Sequence, residues 1–258
     1  MEMILDLIFA FISFFFPKKE KEVEFINKYS FGSRVYGTNR ENSDYDYVYI
    51  LPWEIYEEPK NTDHKHYTIR NFQLLIDEMD ICALECYFLP ENSGQIENHK
   101  FTFNLDKQKL RTQISKAANN SWVKGKKRLT ITADYDKMIA IKSIFHSIRI
   151  LDFGIQIATE GRIYNYSNMN YLWNDIYAIS EPYSQEPLVS QEKIEGKFLW
   201  DILNDRYKKL FNEKASAFKK ACPHKSIKED RRNIINILEK HKVEPKVSLV
   251  DELVGAIK

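Results

Sequence analysis

The chain has little cysteine: three in 258 residues. Three cysteines build no disulfide framework, Cys82 and Cys86 lack zinc-knuckle spacing, and Cys222 stands alone. The expected compartment is therefore reducing and cytoplasmic, with no structural metal. Glycine and proline number only eight each, which excludes collagen-like sequence and long flexible linkers. A charge bias is missing too. Lys+Arg 38 against Asp+Glu 37 leaves a net charge of +1, so bulk electrostatics selects no partner and any nucleic-acid surface must be a local patch. There is also no apolar run long enough to span a bilayer. The most apolar stretch, Ile4–Phe16, has thirteen residues and is interrupted by Asp6, against the roughly 20 needed. It has neither the basic start nor the small-residue cleavage site of a signal peptide. Three readings of it stay open: a helix buried or covered by a partner and stopped by Pro17, a shallow anchor with Lys18, Lys19 and Lys21 at the headgroups, or an appendage of little order. Membrane binding is not the expectation.

What is present describes an ordinary globular protein, 43% hydrophobic and 29% charged, with enough apolar residues for a core. Residues 23–31 and Asp44–Leu51 have strand character, and a short strand is expected near Asp63–Tyr67. An amphipathic helix follows over Ile69–Asp80, then the apolar run Ala83–Leu89 closed by Pro90. From about Leu105 the chain reads as helices. The strongest is Tyr135–Gly161, and others are expected near Met169–Ser180, Lys193–Ala221 and Ile227–Lys240. The predicted class is α+β, divided into an apolar segment (1–22), an α/β core (23–104) and a helical domain (105–258).

The informative stretch is Phe31-Gly32-Ser33-Arg34-Val35-Tyr36-Gly37, followed by Ser43-Asp44-Tyr45-Asp46. A strand that delivers a Gly-Ser turn lets backbone amides approach an anion and adds a hydroxyl donor, which suits a phosphate. Asp44 and Asp46 stand at i and i+2 on a predicted strand, so their carboxylates share one face. Two carboxylates this close repel unless a cation lies between them. Mg²⁺, which binds through a few carboxylates plus substrate phosphates, fits that role. Each piece alone is more often a plain turn or a solvated strand end. In this order and spacing they point to nucleotidyl or phosphoryl transfer.

The run GSRVYGTNRENSDYD closely resembles the hallmark of the DNA polymerase beta-like nucleotidyltransferase superfamily, and in its extended form the bacterial and phage RNA-repair-pathway branch. YTIRNFQLL, ALECYF and IKSIFHSIRILDFGIQIATEGRI are similar to that branch's helix, following apolar strand and long C-terminal helix. The resemblance covers roughly residues 25–165. It implies a polymerase-beta-like core of a small mixed sheet with helices, followed by an α-helical domain. It also implies an NTP substrate, Mg²⁺ (or Mn²⁺) as cofactor and a third metal-binding carboxylate. By position Asp63 is the match, although its surroundings, Asn61-Thr62-Asp63-His64-Lys65-His66, are more polar than the family's strand; Glu85 is the alternative. In this reading Asp44, Asp46 and Asp63 are catalytic and hold metal. Gly32, Ser33, Arg34 and Ser43 belong to nucleotide binding.

Two basic features extend the reading. Lys142, His146 and Arg149 recur at helical spacing on the side of Tyr135–Gly161 away from its Ile/Phe stripe, either as a solvated face or as a clamp on nucleotide phosphates. Residues 107–128 hold eight Lys/Arg and no acidic residue, with Trp122 among them. This is either a solvated charge run or a surface for an RNA or tRNA backbone. The expected acceptor is an RNA or tRNA end, with a protein side chain or small alcohol as alternatives, because one fold serves many acceptors. A reading from another class is a non-catalytic RNA- or protein-binding module of toxin–antitoxin type.

Overall fold

A computed structural model describes residues 24–52, 64–91, 93–183, 189–224, 227–240, 244 and 246–256. Ile4–Phe16 and Asp63 lie outside these residues. The described chain is a mixed α+β structure in which helices dominate around one small sheet. The sheet has strands β1 (Asn27–Phe31), β2 (Asp46–Leu51), β3 (Lys65–Thr68) and β4 (Ile96–Glu97), in the order β3-β2-β1-β4. β1 runs antiparallel to β2 and to β4, whereas β2 and β3 are parallel.

The strand period of two decides the two faces. Tyr29, Val48 and Ile50 point inward and are almost completely buried, while Lys28, Tyr47 and Tyr49 stay partly exposed. Asn27, buried at the end of β1, is fully engaged: its Oδ1 accepts from the amides of Asn98 and His99, and its Nδ2 donates to the Tyr29 hydroxyl and the His99 carbonyl.

A four-residue helix α1 (Ser33–Tyr36) follows β1, and α2 (Ile69–Asp77) follows β3 directly, with Thr68 Oγ1 accepting from the Asn71 amide. Most of the run Ala83–Leu89, expected as an apolar strand, is instead in helix α3 (Ile81–Tyr87), with Phe88 and Leu89 following it. The reason is local: Asp80 Oδ1 accepts from the amides of Cys82 and Ala83, satisfying donors that a helix start leaves over. An apolar run of this length is ambiguous between strand and helix, and the cap decides.

The helical part comprises α4 (Lys107–Thr130), α5 (Lys137–Glu160), α6 (Asn170–Ser180), α7 (Val189–Ala221), α8 (Ile227–Lys240) and α9 (Val247–Ala256). Asp106 and Asp136 cap α4 and α5, and Gly161, at φ 73°, closes α5. α4, α5 and α7 pack closely around Gly154, where a Cβ would meet Ile114 Cγ2 at 2.7 Å and Phe218 Cε2 at 3.0 Å. One continuous apolar core joins these helices to the sheet's inner face. α9 was not anticipated. Ile234 of α8 and Val250 of α9 form a small separate cluster, so the end of the chain is more than one exposed helix. Among the described residues, no helix is long and apolar enough to cross a membrane.

Candidate active site

The ends of β1 and β2 meet where Phe31 pairs with Asp46. The next residue, Gly32, has φ 79° and ψ −157°, a backbone state open essentially to glycine alone. Its missing side chain matters as much, because a Cβ there would land on the Asp46 carboxylate. Gly32 thus lets the Asp46 carboxylate lie against the turn that carries Ser33. The Gly32 carbonyl then accepts from the amides of Val35 and Tyr36, starting α1.

This corner opens into a cavity of about 490 Å³, a size suited to a nucleotide-scale ligand. Gly32, Ser33 and Asp46 line it from the sheet, and Lys142, His146 and Arg149 line it from α5. Residues more than a hundred positions apart are thereby brought to one site. Lys65, Lys124 and Glu85 contribute as well. Four cations (Lys65, Lys124, Lys142 and Arg149) face two carboxylates (Asp46 and Glu85), so the lining favours an anion.

The buried wall is built around Arg149. Its guanidinium carbon lies 3.2 Å from the Tyr36 ring centroid, and Nη2 reaches Glu85 Oε1 at 3.4 Å. The Tyr36 hydroxyl donates to Glu85 Oε2, and the Tyr166 hydroxyl donates to the Glu85 carbonyl at 2.7 Å. Burial raises the Glu85 pKa despite the opposing Arg149 charge and the Tyr36 hydrogen bond. Arg149 is 3% exposed, yet its Nε and Nη1 have no hydrogen-bond partner. Buried guanidinium donors without an acceptor are costly in a finished core, and Arg149 is a residue of the cavity wall.

His146 sits beside them, its ring edge-on to Tyr36 at 5.9 Å and its buried Nδ1 unpartnered. Burial first, then the charges of Arg149, Lys142 and Lys124, push its pKa well below the usual histidine range. The imidazole is therefore a neutral hydrogen-bonding group near neutral pH. Only Lys142, which is exposed, and Arg149, which is buried, are cations of the expected ridge. Burial likewise pushes the Cys82 thiol up to about 11, leaving it protonated and unreactive.

Other residues chosen from the sequence lie elsewhere. Arg34 donates from Nη2 to the Ser43 carbonyl at 2.7 Å and from Nε to the Asp44 carbonyl at 3.3 Å. It thereby fixes the turn before β2 and lines a second, smaller cavity. Ser43 Oγ accepts from the Arg40 amide. Asp44 is exposed and precedes β2, which begins at Asp46. Among the described residues, no cluster of three or more His, Cys, Asp and Glu side chains is placed to hold a metal. Glu85, the alternative third carboxylate, is occupied by Tyr36 and Arg149. The expected pairing of Asp44 and Asp46 on one strand face is not formed: Asp46 lines the cavity, and Asp44 is not among its lining residues. A carboxylate such as Asp46 is nonetheless the donor type for a hard cation that keeps waters and takes substrate phosphates.

The basic helix α4 divides in two. Lys109 pairs with Glu78, and Arg111 donates to the Lys219 and Cys222 carbonyls, so these two brace the fold. Trp122 is a core residue packed against Trp200 and Phe211, unavailable for stacking on bases. Further along, Lys124, Lys127 and Arg128 line a groove of about 350 Å³, and Lys124 also borders the main cavity. Sequence reasoning missed Lys65 and Tyr36. Alternation with Tyr67 along β3 was the available signal for Lys65; for Tyr36, whose role depends on Glu85 and Arg149, there was none. Compared with protein-family models, curated proteins and solved structures, the chain matches none.

Proposed function

We propose that this protein is a nucleotidyltransferase that moves an NMP from an NTP to an acceptor hydroxyl, with Mg²⁺ as cofactor, on a polymerase-beta-like core. The observation that carries this reading is Arg149, a residue with buried, unpartnered Nε and Nη1 that lines a cationic cavity together with the Gly32–Ser33 turn and Asp46. A triphosphate supplies the missing acceptors and the missing negative charge. Ser33, Lys142 and Arg149 hold its phosphates, and His146, being neutral, contributes a hydrogen bond. Asp44 and Asp46, with Asp63 as the expected third carboxylate, would hold Mg²⁺. When bound, the ion lowers the pKa of the attacking hydroxyl and offsets charge on the phosphates. The acceptor oxygen forms a bond to the α-phosphorus while the α–β bridging bond breaks. Pyrophosphate leaves, and the hydroxyl proton passes to the Asp46 carboxylate. The Lys124–Lys127–Arg128 groove supports an RNA or tRNA acceptor, because its charge suits a phosphate backbone.

Purified protein is incubated with Mg²⁺, each α-labelled NTP in turn and total RNA, beside Asp46→Ala. The expected outcome is label on RNA with wild type only, and a loss of at least about a hundredfold in the variant. Label on protein instead would replace the acceptor. Equal transfer by Asp46→Ala, or none by either protein, would overturn the reading.

A further inference from the structure

The solvent side of the sheet carries a feature that nucleotide binding does not use. Tyr47 and Tyr49 alternate with Asp46 and Val48 along β2 and so belong to the outer face, with Tyr45 just before the strand; Tyr47 also lines the main cavity. Tyr45 is 61% exposed, and its ring is nearly parallel to that of Tyr47, at 13° and 6.4 Å. Tyr47 continues to Tyr49 at 5.9 Å, and Tyr49 stacks on His66 at 5.4 Å. Cations accompany the rings. Lys28 Nζ lies 3.8 Å from the Tyr47 centroid, and the Arg34 guanidinium lies 3.8 Å from that of Tyr45. The described strand positions of this face (Lys28, Ser30, Tyr47, Tyr49, Leu51, His66, Thr68 and Ile96) carry no carboxylate.

The ladder also leads to the reactive corner. A second cavity, of about 240 Å³, lies under Tyr45, Tyr47 and Arg34 and shares Phe31, Asp46 and Tyr47 with the main one. Asp46 is therefore reached from two sides, a phosphate-binding side and an aromatic side. A row of rings with interspersed cations is complementary to unpaired bases on a phosphate backbone. It offers little to a duplex, whose bases are already stacked, or to an acidic peptide, which has no rings to stack.

We propose that the tyrosine ladder is the acceptor site and that it takes the unpaired 3′ end of an RNA strand. Bases stack on Tyr45 and Tyr47, Lys28 faces the phosphates, Arg34 holds the turn against Tyr45, and the terminal hydroxyl enters through the smaller cavity to Asp46. There its oxygen bonds to the α-phosphorus, its proton goes to Asp46 and pyrophosphate departs. The assignment of a reaction to this site rests on the nucleotidyl-transfer reading; the RNA affinity of the ladder does not.

The test is fluorescence anisotropy of a labelled oligouridine of about 12 nucleotides, within the usual single-strand site range, with the full chain and no NTP. Tyr45→Ala/Tyr47→Ala is compared with Tyr45→Phe/Tyr47→Phe, a cooperative thermal transition shows that each variant is folded, and the Mg²⁺–ATP melting shift is read separately in the wild type and the tyrosine variants. We expect the alanine pair to weaken binding about tenfold or more, and the phenylalanine pair to stay within roughly twofold. Four results would overturn the proposal: no affinity in wild type, equal affinity in the alanine pair, equal loss in the phenylalanine pair, or loss only in Lys124→Ala/Lys127→Ala. An intact ladder effect without any Mg²⁺–ATP shift would remove the transferase reading and leave the RNA site. A Mg²⁺–ATP shift without the ladder effect would do the reverse.

Discussion

The two faces of the small sheet are made by the same strand and have opposite chemistry. On the inner face, Asp46 stands at the mouth of a cationic cavity, and Val48 and Ile50 behind it are buried in the core. On the outer face, one residue out of phase, Tyr45, Tyr47 and Tyr49 form a partly exposed ring ladder. The inner face depends on burial, which makes charges costly and hydrogen bonds specific. The outer face depends on ring area and on cations that stay hydrated. A strand can therefore present a charge-handling site and a stacking site within a few ångströms, because its side chains alternate. The cost of change should differ in the same way, with inner substitutions disturbing stability and function together and outer ones disturbing binding alone.

Arg149→Ala should break the inner face most. It leaves Glu85 buried among Tyr36 and Tyr166 without its cation, and losing one partner of a buried pair costs about 3–5 kcal/mol. Denaturant unfolding would measure the cost, and a loss below about 1 kcal/mol would mean that the guanidinium does not hold this wall. The nucleotide-dependent melting shift should disappear with it.

Gly32→Ala should come next. The backbone at φ 79° and ψ −157° carries a strain of about 1–3 kcal/mol for any other residue, and the new methyl displaces Asp46. Transfer activity should fall at least about a hundredfold while oligouridine binding by the outer face persists. Retained activity would show that the Asp46 position is not set by the turn.

The smallest effect is a pH dependence confined to the inner face. Burial raises the Glu85 pKa above its ordinary value of 4.5, so the folded protein binds this proton more tightly than the unfolded chain does. Glu85 therefore contributes stability fully below pH 4.5, and the contribution is lost as pH rises through the folded value. Melting temperatures of wild type and Glu85→Gln, followed upward from pH 4.5, should diverge, with the wild type losing stability relative to the variant. Parallel curves would mean that Arg149 compensates the Glu85 charge fully.

Much of the architecture was legible along the chain, because helix ends have local chemical causes. Gly161 ends α5 where expected, and α8 spans the expected Ile227–Lys240, whereas the caps Asp106 and Asp136 went unread. The misread element was α3. Its apolar residues fit either period, and only the Asp80 side chain folding back on the amides of Cys82 and Ala83 distinguishes them. Within the site, Gly32, Ser33 and Asp46 stood out because they are close in sequence. Lys142, His146 and Arg149 stood out by helical spacing, which said nothing of what they faced. Trp122 was misread for the same reason, since a helix of basic composition can still bury one aromatic side.

By itself the sequence determined the local elements, the Gly-Ser turn beside an aspartate-bearing strand, the separation of tyrosines from Asp46 by strand alternation, and the supply of cations. These follow from covalent geometry, capping and side-chain period, which act over a few residues. Only the tertiary structure decided that Lys142, His146 and Arg149 of α5 line one cavity with Asp46, that Arg149 is buried against Tyr36 and Glu85 with two donors unpartnered, and that His146 is neutral. Those outcomes arise because long-range packing removes water, and the free energy of a charge depends on how much water it keeps.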